Sequence, residues 1–231
     1  LYYSSGTTGN PKGVLYSHNN MTSLIRSIVK GFKFKKKDNQ LAFLPFGHTA
    51  SINYNILPSL LIGCNLFISK GFEHLRSNFF NVLEEYKITY TEVVPSVLFL
   101  LNKLKVDIRK LDLSSLEFIG CGSSTLPISA QKEFIRQYKI GIGNLYGLSE
   151  TGPSHIDDPR KKNWKPGSIG VPLDVNKCKI SEHGEMLIKG KNVFIGYYKN
   201  KKLYEKVVKN HWFCTGDLGK HHRGKFYFVD R

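Results

Sequence analysis

Residues Tyr3 to Val14 read YSSGTTGNPKGV, the stretch of this chain richest in groups that could do chemistry. Four hydroxyl residues, Ser4, Ser5, Thr7 and Thr8, surround Gly6 and Gly9, and Pro11-Lys12-Gly13 follows. Glycines let a backbone approach a ligand closely and take up positive φ. Hydroxyls and free backbone N–H groups can surround phosphate oxygens, and Lys12 adds a point charge. The loop suits a polyphosphate. It is not a Walker A loop, because the GxxxxGK[ST] spacing is absent: Lys12 comes six residues after Gly6, with Gly13 behind it. A Gly/Ser/Thr cluster can also be a plain flexible linker, but Pro-Lys-Gly is not what a linker usually carries.

Five further strings follow in order: LPFGHTAS (44–51), GCGSSTLP (120–127), NLYGLSETG (144–152), PGSIGVP (166–172) and GEMLIKGKNVFIGYY (184–198), with WFCTGDLG (212–219) near the end. Together with the phosphate loop they resemble the signatures of the adenylate-forming (AMP-binding) superfamily, which includes acyl-CoA synthetases, nonribosomal-peptide adenylation domains and luciferases. The resemblance runs almost from the first residue to the last. It departs at Ser149, where Thr is usual, at Ser123, Ser124 and Thr125 in the GGAPL-type stretch, and at Asp230, where Gly is common.

The resemblance implies an enzyme that activates a carboxylic acid with ATP, giving an acyl-adenylate and pyrophosphate, and then, in the full enzyme, a thioester with coenzyme A. Positioning and charge neutralisation are the protein's share of such chemistry. By resemblance, Ser5, Gly6, Thr7, Thr8, Gly9 and Lys12 would hold the β- and γ-phosphates. Ser149 would contact the α-phosphate, and Glu150 would hold Mg²⁺, an ion that favours oxygen ligands. Tyr146, with Asn144 and Gly147 beside it, would offer a flat face for adenine. Gly122, Ser123 and Ser124 would line the adenine and the acyl group, and Asp217 and Arg231 would contact the ribose. The bland readings are a solvated carboxylate for Glu150, a core tyrosine for Tyr146 and a turn aspartate for Asp217.

LPFGHTAS resembles the family's PxxH segment, and by that resemblance His48 would stand near the acyl carboxylate as a catalytic residue, where amino-acid-activating relatives carry an Asp for the substrate ammonium. An imidazole cannot offset the desolvation of a buried ammonium, so an acid without an α-amino group is expected, a fatty, aryl or other organic acid. Ile52, Ile56, Leu57 and Leu60 fit an acyl pocket but, at helix spacing, equally fit a plain core. The alternatives kept open are an acyl-AMP ligase or adenylation domain that loads a carrier protein, and a non-catalytic nucleotide-binding fragment.

The elements that must position these residues follow from periodicity. LAFLP (41–45), CNLFIS (64–69), ITYTEVV (88–94), LEFIGC (116–121) and IGNLYG (142–147) read as strands. HNNMTSLIRSIVKGF, NFFNVLEEY, PSVLFLLNKL and PISAQKEFIRQY carry helix spacing, the last two with Pro near their starts. Such alternation predicts an α/β fold with a mostly parallel, helix-covered sheet over residues 1–160, its ligand beyond the carboxyl ends of the strands. Residues 161–231 are short and β-rich, predicting a small antiparallel barrel or sandwich packed on the first part. The chain is expected to be the middle of a longer enzyme, inactive alone, with the mobile C-terminal domain beyond it.

Composition narrows the setting. At 41% hydrophobic and 13% aromatic the 231 residues suit a globular protein, without an apolar run long enough to span a membrane and without a signal-peptide pattern at the start. Four scattered cysteines, without CxxC or metal spacing, read as reduced and intracellular, with a cytoplasmic location expected. The Asn20-Met21-Thr22 sequon is expected to be idle in that setting. The net charge is +16, with 27 lysines against 7 arginines and dense groups at Lys33–Lys37 and Arg160–Lys165. Arg forks and aromatic interleaving on a nucleic-acid motif are missing, so no specific nucleic-acid partner is expected. Such a field still gathers ATP, CoA or an anionic membrane surface, which makes peripheral membrane association conceivable.

Overall fold

A computed structural model describes residues 1–4, 11–104, 106–162 and 164–231. In chain order its elements are β1 (Tyr2–Ser4), β2 (Lys12–Leu15), α1 (His18–Phe32), β3 (Asn39–Ala42), α2 (Leu57–Ile62), β4 (Asn65–Ile68), α3 (Phe79–Glu85), β5 (Tyr90–Val93), α4 (Pro95–Leu104), β6 (Phe118–Cys121), α5 (Ile128–Tyr138) and β7 (Ile142–Leu148). Then come β8 (Gly152–Asp157), β9 (Val171–Pro172), β10 (Asn176–Ile180), β11 (Glu185–Gly190), β12 (Gly196–Tyr197), α6 (Lys201–Val207), β13 (Val208–Lys209), β14 (Trp212–His222) and β15 (Lys225–Asp230).

The main sheet runs β4-β3-β5-β6-β7-β8-β9. Its first five strands are parallel, and β8 and β9 close it antiparallel. Strands β5 and β6 are buried at every residue, as strands covered on both faces must be. Helix α1 starts on a capping box: the Ser17 hydroxyl accepts from the Asn20 N–H, and the Asn20 side chain accepts from the Ser17 N–H. Its buried face, Leu24, Ile25, Ile28 and Phe32, packs into the main core with Tyr54, Tyr90 and Phe118. The sequon residue Asn20 is itself buried, its amide donating to the Lys191 and Val193 carbonyls, which withholds it from modification.

A second sheet, β10-β11-β14-β13 with β15 on β14, is antiparallel and curls into a half-barrel. A third, β1-β2-β12, ties the start of the chain to Gly196–Tyr197. The α/β architecture with a parallel-rich sheet and a curled β-rich part is therefore as expected from the sequence. The division at residue 160 is less clean, because β9 lies beyond it yet completes the main sheet, and β12 returns to the first strands. Helix α6 and strand β8 are additional to the expected elements. Residues Ser51–Ile56 form a π-helical segment, so their faces do not follow 3.6-residue spacing.

Candidate active site

The parallel strands deliver their carboxyl-end loops to one side, and there the structure opens a cavity of about 920 Å³. Gly47, His48, Thr49 and Ala50 reach it after β3, Ser123 after β6, and Ser149 and Glu150 after β7. The three-stranded sheet adds Tyr3, Ser4, Lys12 and Tyr197, and the half-barrel adds Glu185, Thr215 and Gly216. Arg231 completes the wall. The position matches the rule for parallel α/β sheets, in which ligands sit beyond the strand carboxyl ends.

Glu150 is carried on a tight turn. The Thr151 N–H donates to the Leu148 carbonyl, and the Leu148 N–H donates to the Thr151 hydroxyl. Three remote groups pin the same turn: the Tyr16 hydroxyl donates to the Ser149 carbonyl (2.7 Å), the Phe194 N–H to the Glu150 carbonyl (2.8 Å) and the Asn192 amide to the Thr151 carbonyl (3.0 Å). Gly147 makes the turn possible, because a Cβ there would stand 2.2 Å from the Gly152 carbonyl oxygen. The Glu150 carboxylate accepts from the Tyr197 hydroxyl at 2.7 Å, and Lys12 Nζ lies 5.9 Å from the centre of the Tyr197 ring. Burial, reinforced by Glu150, holds the Tyr197 phenol above its ordinary range, so it stays a donor.

Asp217 is built just as firmly. It is almost wholly buried, and its N–H donates to the Thr215 hydroxyl, which itself donates to the Met186 carbonyl. Gly216, at φ +75, supplies the left-handed turn before it. The Tyr146 hydroxyl donates to Asp217 Oδ2 at 2.7 Å, and Arg231 Nε donates to Oδ1 at 2.6 Å. The pair is a bidentate arginine–carboxylate fork in outline, with Nη2 at a longer 3.4 Å.

Several residues stand elsewhere than expected. Tyr146 does not line the cavity; its ring is buried, set edge-on to His155 at 5.4 Å, and its hydroxyl is spent on Asp217. The structure thus gives it a holding role in place of an open face for adenine. Asn144 is also buried, its amide donating to the Ser168 carbonyl. Of the 122–124 stretch only Ser123 lines the cavity, in the left-handed region at φ +73, while Gly122 is packed against Leu145 and Glu92. Ile52, Ile56, Leu57 and Leu60 are absent from the lining, and Leu60 is 73% exposed; the π-helical segment sends Tyr54 there instead. Ser5, Gly6, Thr7, Thr8 and Gly9 lie outside the described residues. His48 is an exposed member of the wall, its Nδ1 accepting from the Ala50 N–H at 3.1 Å.

Sequence reasoning missed Tyr16, Asn192 and Tyr197, which clamp or contact the 149–151 turn from distant positions. The only signal for Tyr197 was its place in the GYY string at the end of a matched stretch. Behind the cavity, Glu92 on β5 is buried with neither carboxyl oxygen hydrogen-bonded among the described residues, and burial raises it well above the ordinary carboxylate range. Also among the described residues, no three His, Cys, Asp or Glu side chains cluster to hold a metal by themselves.

This geometry gathers residues of several motifs around one cavity at the carboxyl ends of a parallel-rich α/β sheet. The family model for AMP-binding enzymes matches residues 1–198, and the chain belongs to that family. It is 31% identical over 246 residues to a protein named probable 4-coumarate–CoA ligase 3 of Dictyostelium discoideum, covering 99% of this chain and 44% of that one. It is likewise 31% identical to a long-chain-fatty-acid–CoA ligase of Bacillus subtilis, covering 43% of it. The fold superposes on an O-succinylbenzoate coenzyme A synthetase from Bacillus subtilis in complex with AMP, with a TM-score of 0.87 and 27% identity, covering all of this chain and 49% of that one. The chain therefore spans less than half the length of these relatives.

Proposed function

We propose that the intact protein carrying this chain is an AMP-forming acid–CoA ligase, and that the cavity is where the acid is adenylated. In the first step a carboxylate oxygen attacks the α-phosphorus of ATP, the bond to the bridging oxygen of the β-phosphate breaks, and pyrophosphate leaves. In the second the CoA thiolate attacks the acyl carbon and AMP leaves. The observation that carries the reading is the convergence of Lys12, Ser149, Glu150 and Arg231, from three separate stretches of the chain, on one cavity.

Lys12, with the hydroxyls and glycines of residues 5–9, neutralises the β- and γ-phosphates as charge moves onto pyrophosphate. Ser149 contacts the α-phosphate. The Asp217 carboxylate, buried behind the lining residues Gly216 and Arg231 and not itself part of the lining, accepts from the ribose hydroxyls, held in place by Tyr146 and steadied by Arg231. The oxygen donors fit Mg²⁺: Glu150 offers one carboxylate, suited to an ion whose other ligands are phosphate and water oxygens. Bound there, the ion would spread the charge of the polyphosphate. Tyr197 orients Glu150 by occupying one of its oxygens.

His48 on the wall, in the place of an ammonium-binding carboxylate, supports an acid without an α-amino group, fatty or aryl. The four unpaired cysteines support a reducing compartment such as the cytoplasm. A carrier-protein thiol as acceptor is the second reading, favoured by the matching fold of an adenylation domain solved with its carrier domain, although at 21% identity that likeness is one of fold alone.

Acid-dependent exchange of pyrophosphate into ATP, run on the intact protein with fatty, aryl and amino acids, tests the proposal. Exchange with a fatty or aryl acid and none with amino acids is the expected result. Exchange with amino acids would overturn the substrate class. Silence across the panel with ATP still bound would overturn the enzyme reading.

A further inference from the structure

Opposite the cavity, the amino ends of the parallel strands collect the two densest basic groups of the sequence. The loop before β3 carries Lys33, Lys35, Lys36 and Lys37, all exposed. The loop after β8, which runs antiparallel and so ends on the same side, carries Arg160 with the exposed Lys161, Lys162 and Lys165. Glu117, just before β6, joins the two: Lys35 Nζ lies 3.4 Å from it, and Arg160 also donates to it. A second Arg160 nitrogen donates to the Phe32 carbonyl at 2.8 Å, and its guanidinium covers the Phe118 ring at 4.6 Å. Exposed Lys87 before β5 and Lys139 before β7 fall on the same edge.

The order of the strands fixes the shape of this face. From β3 to β8 there are four strand-to-strand steps, or about 19 Å at the usual spacing. The edge is continuous: the Thr89 N–H donates to Asn39, Glu117 N–H to Thr89 and Ile119 N–H to Gly141, each at about the same depth in the sheet. The acidic groups there are mostly consumed. Asp38 and Asp158 are buried within their own loops, Asp157 is paired with Lys225, and Glu117 is shared by two cations. Glu84 and Glu85, at the end of α3, and the exposed Asp112, whose N–H donates to Glu84, are the acidic neighbours on the Lys87 side.

We propose that this edge is a docking face for an anionic lipid surface. Hydrated lysine point charges along one edge suit a surface of headgroups, each worth about 1 kcal/mol near such a surface. A nucleic acid would instead call for exposed Arg forks and stacking aromatics, whereas the central arginine of the face, Arg160, is already committed to Glu117, Asp158 and Phe32, and Arg109 before β6 is paired with Asp107. Docked by this edge, the protein holds its cavity on the side away from the surface, open to dissolved nucleotide.

Sedimentation of the intact protein with vesicles tests the face, using phosphatidylcholine alone and phosphatidylcholine doped with phosphatidylserine, at low and high salt. Binding to the doped vesicles only, and its loss at high salt, is expected. The combined variant Lys33→Glu, Lys36→Glu, Lys161→Glu and Lys162→Glu should lower the partition on the order of 10²-fold or more. A control with the same change in net charge, Lys177→Glu, Lys189→Glu, Lys202→Glu and Lys220→Glu on the half-barrel side, should stay within about tenfold of the unaltered protein, because screening confines each charge to its neighbourhood. Should the variant not fold, amine-reactive labelling of the unaltered protein replaces it, with Lys33, Lys36, Lys161 and Lys162 shielded when vesicles are bound. Equal losses in both variants, equal binding to neutral vesicles, no shielding of those lysines, or retention by a DNA duplex without any by vesicles would each overturn the proposal.

Discussion

Replacing Asp217 by Asn separates the two jobs this carboxylate can have. In the structure it is an acceptor for the buried Tyr146 hydroxyl at 2.7 Å and for Arg231 at 2.6 Å. An asparagine keeps one acceptor oxygen, which can still serve Tyr146, and Arg231 is more than half exposed, so its lost ion pair costs little. Folding stability should therefore fall by no more than about 1.5 kcal/mol. Ribose binding fares worse, because two vicinal hydroxyls then face one amide oxygen and one N–H₂ group. Losing one hydrogen bond to a charged acceptor is worth about 1.5–3 kcal/mol, which is about a 10- to 150-fold weaker affinity for ATP. Tyr146→Phe is the companion: it leaves the carboxylate but removes its holder, so ATP affinity should fall by less. Titration of ATP into the intact protein, with a thermal melt of each variant, reads both quantities. A folded Asp217→Asn protein that binds ATP within about threefold of the unaltered one, a difference of about 0.65 kcal/mol, would refute the ribose role.

Glu150→Gln should cut the rate of pyrophosphate exchange far more than it weakens ATP binding; a rate within about threefold, or roughly 0.7 kcal/mol, would remove Glu150 from the metal role. Gly147→Ala forces a Cβ to within 2.2 Å of the Gly152 carbonyl oxygen, so the melt should show a loss of at least about 2 kcal/mol, and an unchanged melting temperature would mean the 147–152 turn adjusts freely. Glu92 gives a pH signature. Its carboxyl is held protonated in the fold above the ordinary value of 4.5, so the unfolded chain binds fewer protons above that pH and stability falls as pH rises. Glu92→Gln removes that slope: relative to the unaltered protein it should gain stability between pH 5 and pH 8, in melts taken at both, and a variant that loses ground at pH 8 would contradict the buried, protonated carboxyl.

The elements with strong periodicity were legible. The α1 boundaries, His18–Phe32, coincide with the periodic stretch, and so do those of α4 at Pro95–Leu104. Both begin on local signals, a capping box in one and a proline in the other. Strands β5 and β6 were visible as runs buried on both faces, whereas β4, at the sheet edge with exposed ends, was visible only by the apolar residues of NLFI. Strand β8, GPSHID, was not, since its buried polar residues Ser154, His155 and Asp157 are satisfied or enclosed only by tertiary partners. Helix α6, KKLYEKV, has no buried residue and so no apolar stripe to announce it. Of the residues that line the cavity, Lys12, Ser149, Glu150 and Arg231 were singled out by motif. Tyr54 was hidden by the π-helical segment, which rotates the expected faces, and the packing of the Tyr146 ring against His155 was not legible because a motif names a residue without saying which way its ring turns.

The residues that hold Glu150 come from more distant parts of the chain than the turn itself. Tyr16 precedes α1, Asn192 and Phe194 follow the half-barrel strand β11, and Tyr197 lies on β12, yet each closes a hydrogen bond on the 149–151 turn or on the Glu150 carboxylate. The turn is thus fixed only when all three sheets are assembled. Asp217 repeats the pattern, with a holder on the main sheet and a seat on the half-barrel. A catalytic carboxylate on a single surface loop would keep rotamer freedom that each bound ligand has to remove. Here that ordering is completed in folding, by hydroxyl donors that burial keeps protonated. The same construction explains why phenolic and amide side chains with no chemistry of their own are as integral to this site as the charged residues its motifs display.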